Sequence, residues 1–250
     1  MTAKHLLAIA AFALTGCSGS HTPGEEGQGT VVLGLTPQSQ TVVVTKAAAV
    51  PAAEDFTLTI RNAVGNGYEE SWPFGTFLSS LGGKKTLDIG SYTAVAEHGD
   101  NSEGFDKPYY YGSENFTIRD GETTPVRLTA AIANVKITVG YTDAFTGYFT
   151  DYTTTVTSAA GTRLVYAKAD YDGKEGFVRP GDFDIEVAYT KQNGTRGTAT
   201  YTVTGATARQ HYKLTYNVNN GEVGNATITV TFSDEFEEIV LDTIELNDQQ

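Results

Sequence analysis

From Val31 onward, apolar and polar residues alternate with a period of two. Phe56, Leu58 and Ile60 are separated by Thr57 and Thr59, and Val135, Ile137 and Val139 by Lys136 and Thr138. Tyr212, Leu214, Tyr216 and Val218 repeat the pattern, as do Ile228, Val230 and Phe232. Successive side chains of a strand point to opposite faces, so this alternation predicts strands with one face in a core and one in water. Thr, Val and Tyr, which dominate these runs, suit a pleated surface. Asn66-Gly67, Asp120-Gly121, Asn193-Gly194 and Asn220-Gly221 stand between the runs as turn signals. A helix is expected only over Phe74 to Leu81, after the Trp72-Pro73 break.

Many short strands with turns at this spacing predict an all-β fold. The chain is 250 residues long, which suits two Greek-key β-sandwiches in tandem. The division is expected near Ala130, giving an N-terminal sandwich over residues 30–129 and a C-terminal one over residues 130–250. A long strand over residues 131–141 opens the second. No Pro- or Gly-rich linker separates the halves, so they are expected to pack tightly. One large sandwich is the alternative.

The first residues change the picture. Lys4 gives a positive start, and residues 5–14 (HLLAIAAFAL) form an apolar run. That run is shorter than the ~20 residues a membrane-spanning helix needs, so it reads as an export signal. It ends in Leu14-Thr15-Gly16-Cys17, which resembles the bacterial lipobox, where the cysteine is acylated and the chain is cut before it. Residues 1–16 are thus read as signal peptide, with Cys17 as the lipid attachment site. Cys17 is the only cysteine, and an unpaired thiol in an exported protein calls for such a use. An ordinary signal peptide with an incidental cysteine is the alternative. Residues 17–29 are rich in Gly and Ser, lack apolar periodicity, and read as a flexible tether. The expected location is the outer membrane or cell surface, with the lipid as the membrane contact.

The net charge of −13 repels polyanions, which argues against nucleic acid as a partner. Nothing in the chain points to an enzyme. His21, His98 and His211 are far apart and show no metal-ligand spacing. No nucleophile elbow, phosphate loop or dinucleotide fingerprint is present. No metal or cofactor is implied. Asp170, Asp172 and Gly173 resemble part of a calcium loop, but the pattern lacks a distal glutamate and reads as a solvated turn. Asp242-Thr243-Ile244 matches a short O-glycosylation signal at Thr243, within an expected strand. The run Phe105 to Gly112 contains Tyr109, Tyr110 and Tyr111. Those tyrosines, with Trp72, are candidate contacts for a glycan or protein ligand. The structural reading, a loop closing one end of the sandwich with alternate tyrosines in the core, is preferred.

Two blocks carry a resemblance. One is GSYTAVA at 90–96 with Gly99, FDKPYYYG at 105–112 and Phe116-Thr117-Ile118. The other is ANVKITV at 133–139 with Tyr141, Phe145, Phe149, Asp151 and Tyr152. They resemble a family of lipoproteins of unassigned function from Gram-negative gut anaerobes, itself similar to the fimbrillin-like pilus proteins. The resemblance implies two transthyretin-like sandwiches behind a lipid anchor. It also implies assembly by strand addition, in which a first strand leaves after proteolysis and a segment of another pilus subunit fills the groove. Val31, Leu33 and Leu35 then mark the exchanged strand, Val42 to Val44 a second strand, and Lys46 the cleavage site. The family more often carries arginine at the cut. Residues 239–246 are an ordinary last strand or a donor segment.

Overall fold

The computed structural model describes residues 27–38, 50–63, 67–220, 225–231 and 238–245. The first sandwich is built from β1 (Gln28–Pro37), β2 (Thr57–Asn62), β3 (Glu69–Pro73), α1 (Phe74–Leu81), β4 (Lys84–Asp88), β5 (Gly90–Gly99), β6 (Gly104–Phe105), β7 (Tyr109–Ile118) and β8 (Thr123–Ile132). The second contains β9 (Val135–Tyr141), α2 (Asp143–Tyr148), β10 (Phe149–Ser158), β11 (Arg163–Ala167) and β12 (Gly176–Val178). It continues through β13 (Gly181–Lys191), β14 (Arg196–Ala206), β15 (His211–Asn220), β16 (Asn225–Thr231) and β17 (Glu238–Glu245).

The N-terminal strands form one seven-stranded sheet in the order β3-β2-β5-β7-β8-β1-β4. It folds on itself between β7 and β8, which pair only at Tyr110 with Ile132 and Tyr111 with Ala131. The two halves close on a core that contains Val31, Leu33, Phe56, Leu58, Ile60, Phe116, Val126 and Leu128. Gly112 lies where the two strands come together: a Cβ there would stand 2.3 Å from the carbonyl oxygen of Thr129. Helix α1 covers the open side with Phe74 and Phe77. It ends at Gly82, whose left-handed φ of 62° needs no Cβ.

The C-terminal half is a four-stranded sheet, β11-β10-β13-β14, packed on a six-stranded sheet, β17-β16-β15-β9-β12-β6. Their core holds Val135, Ile137, Val156, Phe183, Ile185, Leu214, Tyr216 and Ile228. The all-β class and the sandwich architecture are thus as the alternation requires. Gly121 and Gly194 take positive φ, 66° and 86°, at two of the expected turns.

Four details differ from the sequence reading. The first strand starts at Gln28, so the last two residues of the expected tether, 28 and 29, lie in β1. The single strand expected over residues 131–141 is broken at Ala133-Asn134, and a boundary at Ala130 would fall inside β8. The break has a cause in Asn134, which is 6% exposed. Its Nδ2 donates to the Lys107 carbonyl at 2.8 Å, holding the chain where it leaves one sheet for the other. Helix α2 was not expected. Thr142 caps it, its Oγ1 accepting from the Phe145 N–H at 3.3 Å. Residues 42–44 and 66 lie outside the described residues, as do residues 221 and 232.

Candidate functional site

β1 is held on both sides. It runs parallel to β8 from Thr30 opposite Thr123 to Pro37 opposite Ala130. On its other side it pairs antiparallel with β4, from Gln28 opposite Asp88 to Val32 opposite Lys84. Further backbone bonds tie it in, including Leu33 N–H to the Gly83 carbonyl at 3.0 Å and Gln38 N–H to that of Ala130 at 2.8 Å. Val31 and Leu33 are buried, and Leu35 packs half-buried against the same core. Among the described residues β4 pairs with β1 alone. Departure of β1 would therefore leave a slot between β8 and β4, with two open backbone edges and alternate apolar pockets.

The three tyrosines do not form one stacking platform. Tyr109 and Tyr110 are 8% and 6% exposed, while Tyr111 is 37% exposed. Consecutive strand residues face opposite ways, so burial of both means that β7 is covered on both faces where it begins. Tyr110 packs into the N-terminal core, its ring centroid 6.1 Å from that of Phe56. The Tyr109 hydroxyl donates to Glu97. Burial, and then that hydrogen bond, push the Tyr109 hydroxyl well above its ordinary range. Trp72 is half-buried against Phe77, with Lys85 Nζ 5.2 Å over its ring. Lys85 is itself fixed by Glu70 at 2.6 Å. Thr243 lies in β17 opposite Thr227 of β16. Cys17 and Lys46 lie outside the described residues. Asp170 takes Lys174 Nζ at 2.7 Å, so the calcium-like segment is a lysine-clamped turn.

A second constellation, which the alternation gave no hint of, joins the sandwiches. The short β6 leaves the N-terminal half and pairs with β12 of the other sheet. Phe105 stands edge-on to Tyr166 at 5.1 Å, against the C-terminal core. In return Phe177, 2% exposed, packs into the N-terminal core. Glu103 accepts from Ser158 Oγ at 2.5 Å and from the Arg179 N–H at 2.9 Å. Burial pushes its carboxyl up, but the bonds from Ser158, Arg179 and Thr162, with the Arg179 charge, bring it below its ordinary value. Lys136 of β9, almost fully buried, pairs with Glu175, the residue before β12.

Residues 27–248 match the family described as a domain of unknown function, DUF4493. The chain belongs to that family. No curated protein matches it. Several solved structures are similar to this DUF4493 chain. A candidate polysaccharide-binding protein from Bacteroides thetaiotaomicron VPI-5482 is 10% identical with a TM-score of 0.45, covering 86% of this chain and 98% of its own. A candidate adhesin from Bacteroides ovatus is 8% identical with a TM-score of 0.43, covering 86% and 95%. A candidate cell adhesion protein from Bacteroides eggerthii DSM 20697 is 12% identical with a TM-score of 0.41, covering 81% and 89%. Among the described residues of this DUF4493 protein, no helix is long and apolar enough to cross a membrane.

Proposed function

We propose that this DUF4493 protein is a lipid-anchored cell-surface protein with a structural or adhesive role, joined to a partner by strand exchange at β1, and not an enzyme. The observation that carries the reading is the place of β1 in its sheet. It is the first strand among the described residues, it lies between β8 and β4, and it supplies only Val31, Leu33 and Leu35 to a core made chiefly by other strands. Its removal leaves a slot shaped for an extended apolar-alternating segment, in which backbone bonds give affinity and pockets give register. The lipobox ending at Cys17 and the Gly/Ser-rich residues after it support attachment to the outer membrane through lipid. The partners are other subunits of a fimbrillin-like assembly, with this chain as a component or as its anchor.

The test is the N-terminus of the protein taken from its native membrane, read by mass spectrometry. A start at acylated Cys17 marks a permanent anchor, and a start at Ala47 marks a subunit cut after Lys46 that has lost Cys17 and its lipid together with β1 and overturns the anchor for the mature protein. A Cys17→Ser variant should lose its partition into the membrane fraction. A start elsewhere, with membrane partition untouched by Cys17→Ser, refutes the anchor.

The second reading, a glycan platform of Trp72 with Tyr109 to Tyr111, is weakened by geometry. Two of the tyrosines are buried, and Lys85 sits over the Trp72 ring.

A further inference from the structure

β9 contains a glycine that its own fold does not require. Gly140 lies in the strand opposite Thr215 of β15. Its φ is not in the left-handed region, so no turn or bulge demands it. A Cβ placed there would meet no atom within 4 Å, so close packing does not demand it either. Glycine inside a strand weakens the strand, and it commonly marks a place where something else approaches the backbone.

The space above Gly140 is a cleft of about 360 Å³, bordered by Thr138, Tyr171, Asp172 and Lys213. That volume is at the small end of ligand sites, which run about 300–1,000 Å³. Tyr171 is half-buried and braced edge-on against Tyr141, with ring centroids 4.7 Å apart, so this wall is aromatic and fixed by the core. Thr138 and Lys213 face each other across the β9–β15 pair. Among the described residues that line the cleft, the charges are balanced: Lys136 pairs with Glu175 and Lys174 with Asp170, and Lys213 and Asp172 stand outside these ion pairs.

We propose that the cleft over Gly140 binds one pyranose unit of a neutral glycan. The bare backbone at Gly140 admits the ring, the apolar body of Tyr171 packs on its C–H face, and Asp172 and Lys213 exchange hydrogen bonds with its hydroxyls, while Thr138 Oγ1 is held by His211 Nε2 at 2.9 Å. The balanced charge sets the class: a uronate or sulfated sugar would bring a net charge that the cleft does not match. The site is separate from β1, so it stands or falls independently of strand exchange.

Saturation-transfer NMR and calorimetry on the full chain test this, with cello-, manno-, galacto- and xylo-tetraose as probes and tetragalacturonate as the charged comparison. At least one neutral tetrasaccharide should bind. Gly140→Val, whose side chain enters open space, should weaken that binding by about tenfold or more while leaving the melting temperature unchanged or higher. Lys213→Ala, at an exposed position, should weaken it without unfolding the protein. Trp72→Ala should leave it unchanged. Failure of all four neutral probes, stronger binding of tetragalacturonate, or binding indifferent to Gly140→Val would each overturn the proposal.

Discussion

Glu103 shows how one side chain takes its meaning from two domains. It belongs to the N-terminal half, yet its carboxylate oxygens are held by Ser158 and Arg179 of the other half. Those bonds favour the ionised form more than burial disfavours it, so the folded carboxyl titrates below its ordinary value of 4.5. A depressed carboxylate stabilises the fold fully above its unfolded value, and that contribution is lost as pH falls through the folded value. Urea unfolding as a function of pH should therefore show stability dropping from about pH 5 downward. Glu103→Gln should flatten this decline while costing stability at neutral pH. An acid slope equal to that of the native chain would show that Glu103 does not act as a linking carboxylate. Its segment runs Gly99-Asp100-Asn101-Ser102-Glu103-Gly104. Nothing local tells it from Asp120-Gly121-Glu122, because the partners lie 55 and 76 residues away.

At the level of elements, β1 decides the function proposed. Its alternation is visible in Val31, Leu33 and Leu35, and the strand forms where the pattern places it. That it lies parallel to β8 and separates β8 from β4 is not visible, because pairing partners are chosen by the whole sheet. If β1 must leave for a partner to enter, locking it in place should stop assembly. Thr36 and Thr129 are opposite each other in the β1–β8 ladder. A Thr36→Cys, Thr129→Cys pair should close a disulfide at neighbouring-strand distance. Oligomer formation, followed by size-exclusion chromatography, should be blocked when the pair is oxidised and recover on reduction. Equal assembly in both states would refute strand exchange at β1. Helix α1 was legible because the Trp72-Pro73 break precedes it. Helix α2 was not, being six residues long with only Thr142-Asp143 as a start signal.

Across the whole molecule, the two cores are locked by exchange of side chains. Phe177 sits in the N-terminal core and Phe105 against the C-terminal one, with β6 paired to β12 between them. Two sandwiches joined in this way should unfold together. A single cooperative denaturation transition is expected for the native chain. Phe177→Ala removes a buried ring and should cost about 3–5 kcal/mol, with the transition splitting into two as the halves uncouple. Two separate transitions in the native chain would show the lock to be weak.

The sequence by itself determined most of the strands, two of the turns, one helix and the acidic character, because strands, turns and helix ends depend on residues near one another in the chain. Period-two burial, turn glycines and an apolar run before Cys17 are local properties. Only the tertiary structure decided that residues 131–141 are two strands, since Asn134 takes its partner from Lys107. It alone buried both Tyr109 and Tyr110, because a second layer covers the start of β7. It alone revealed β6 and β12, of two and three residues, which are too short to show any period. Their placement is set by what lies across the seam, and that is a matter of packing between segments distant in sequence.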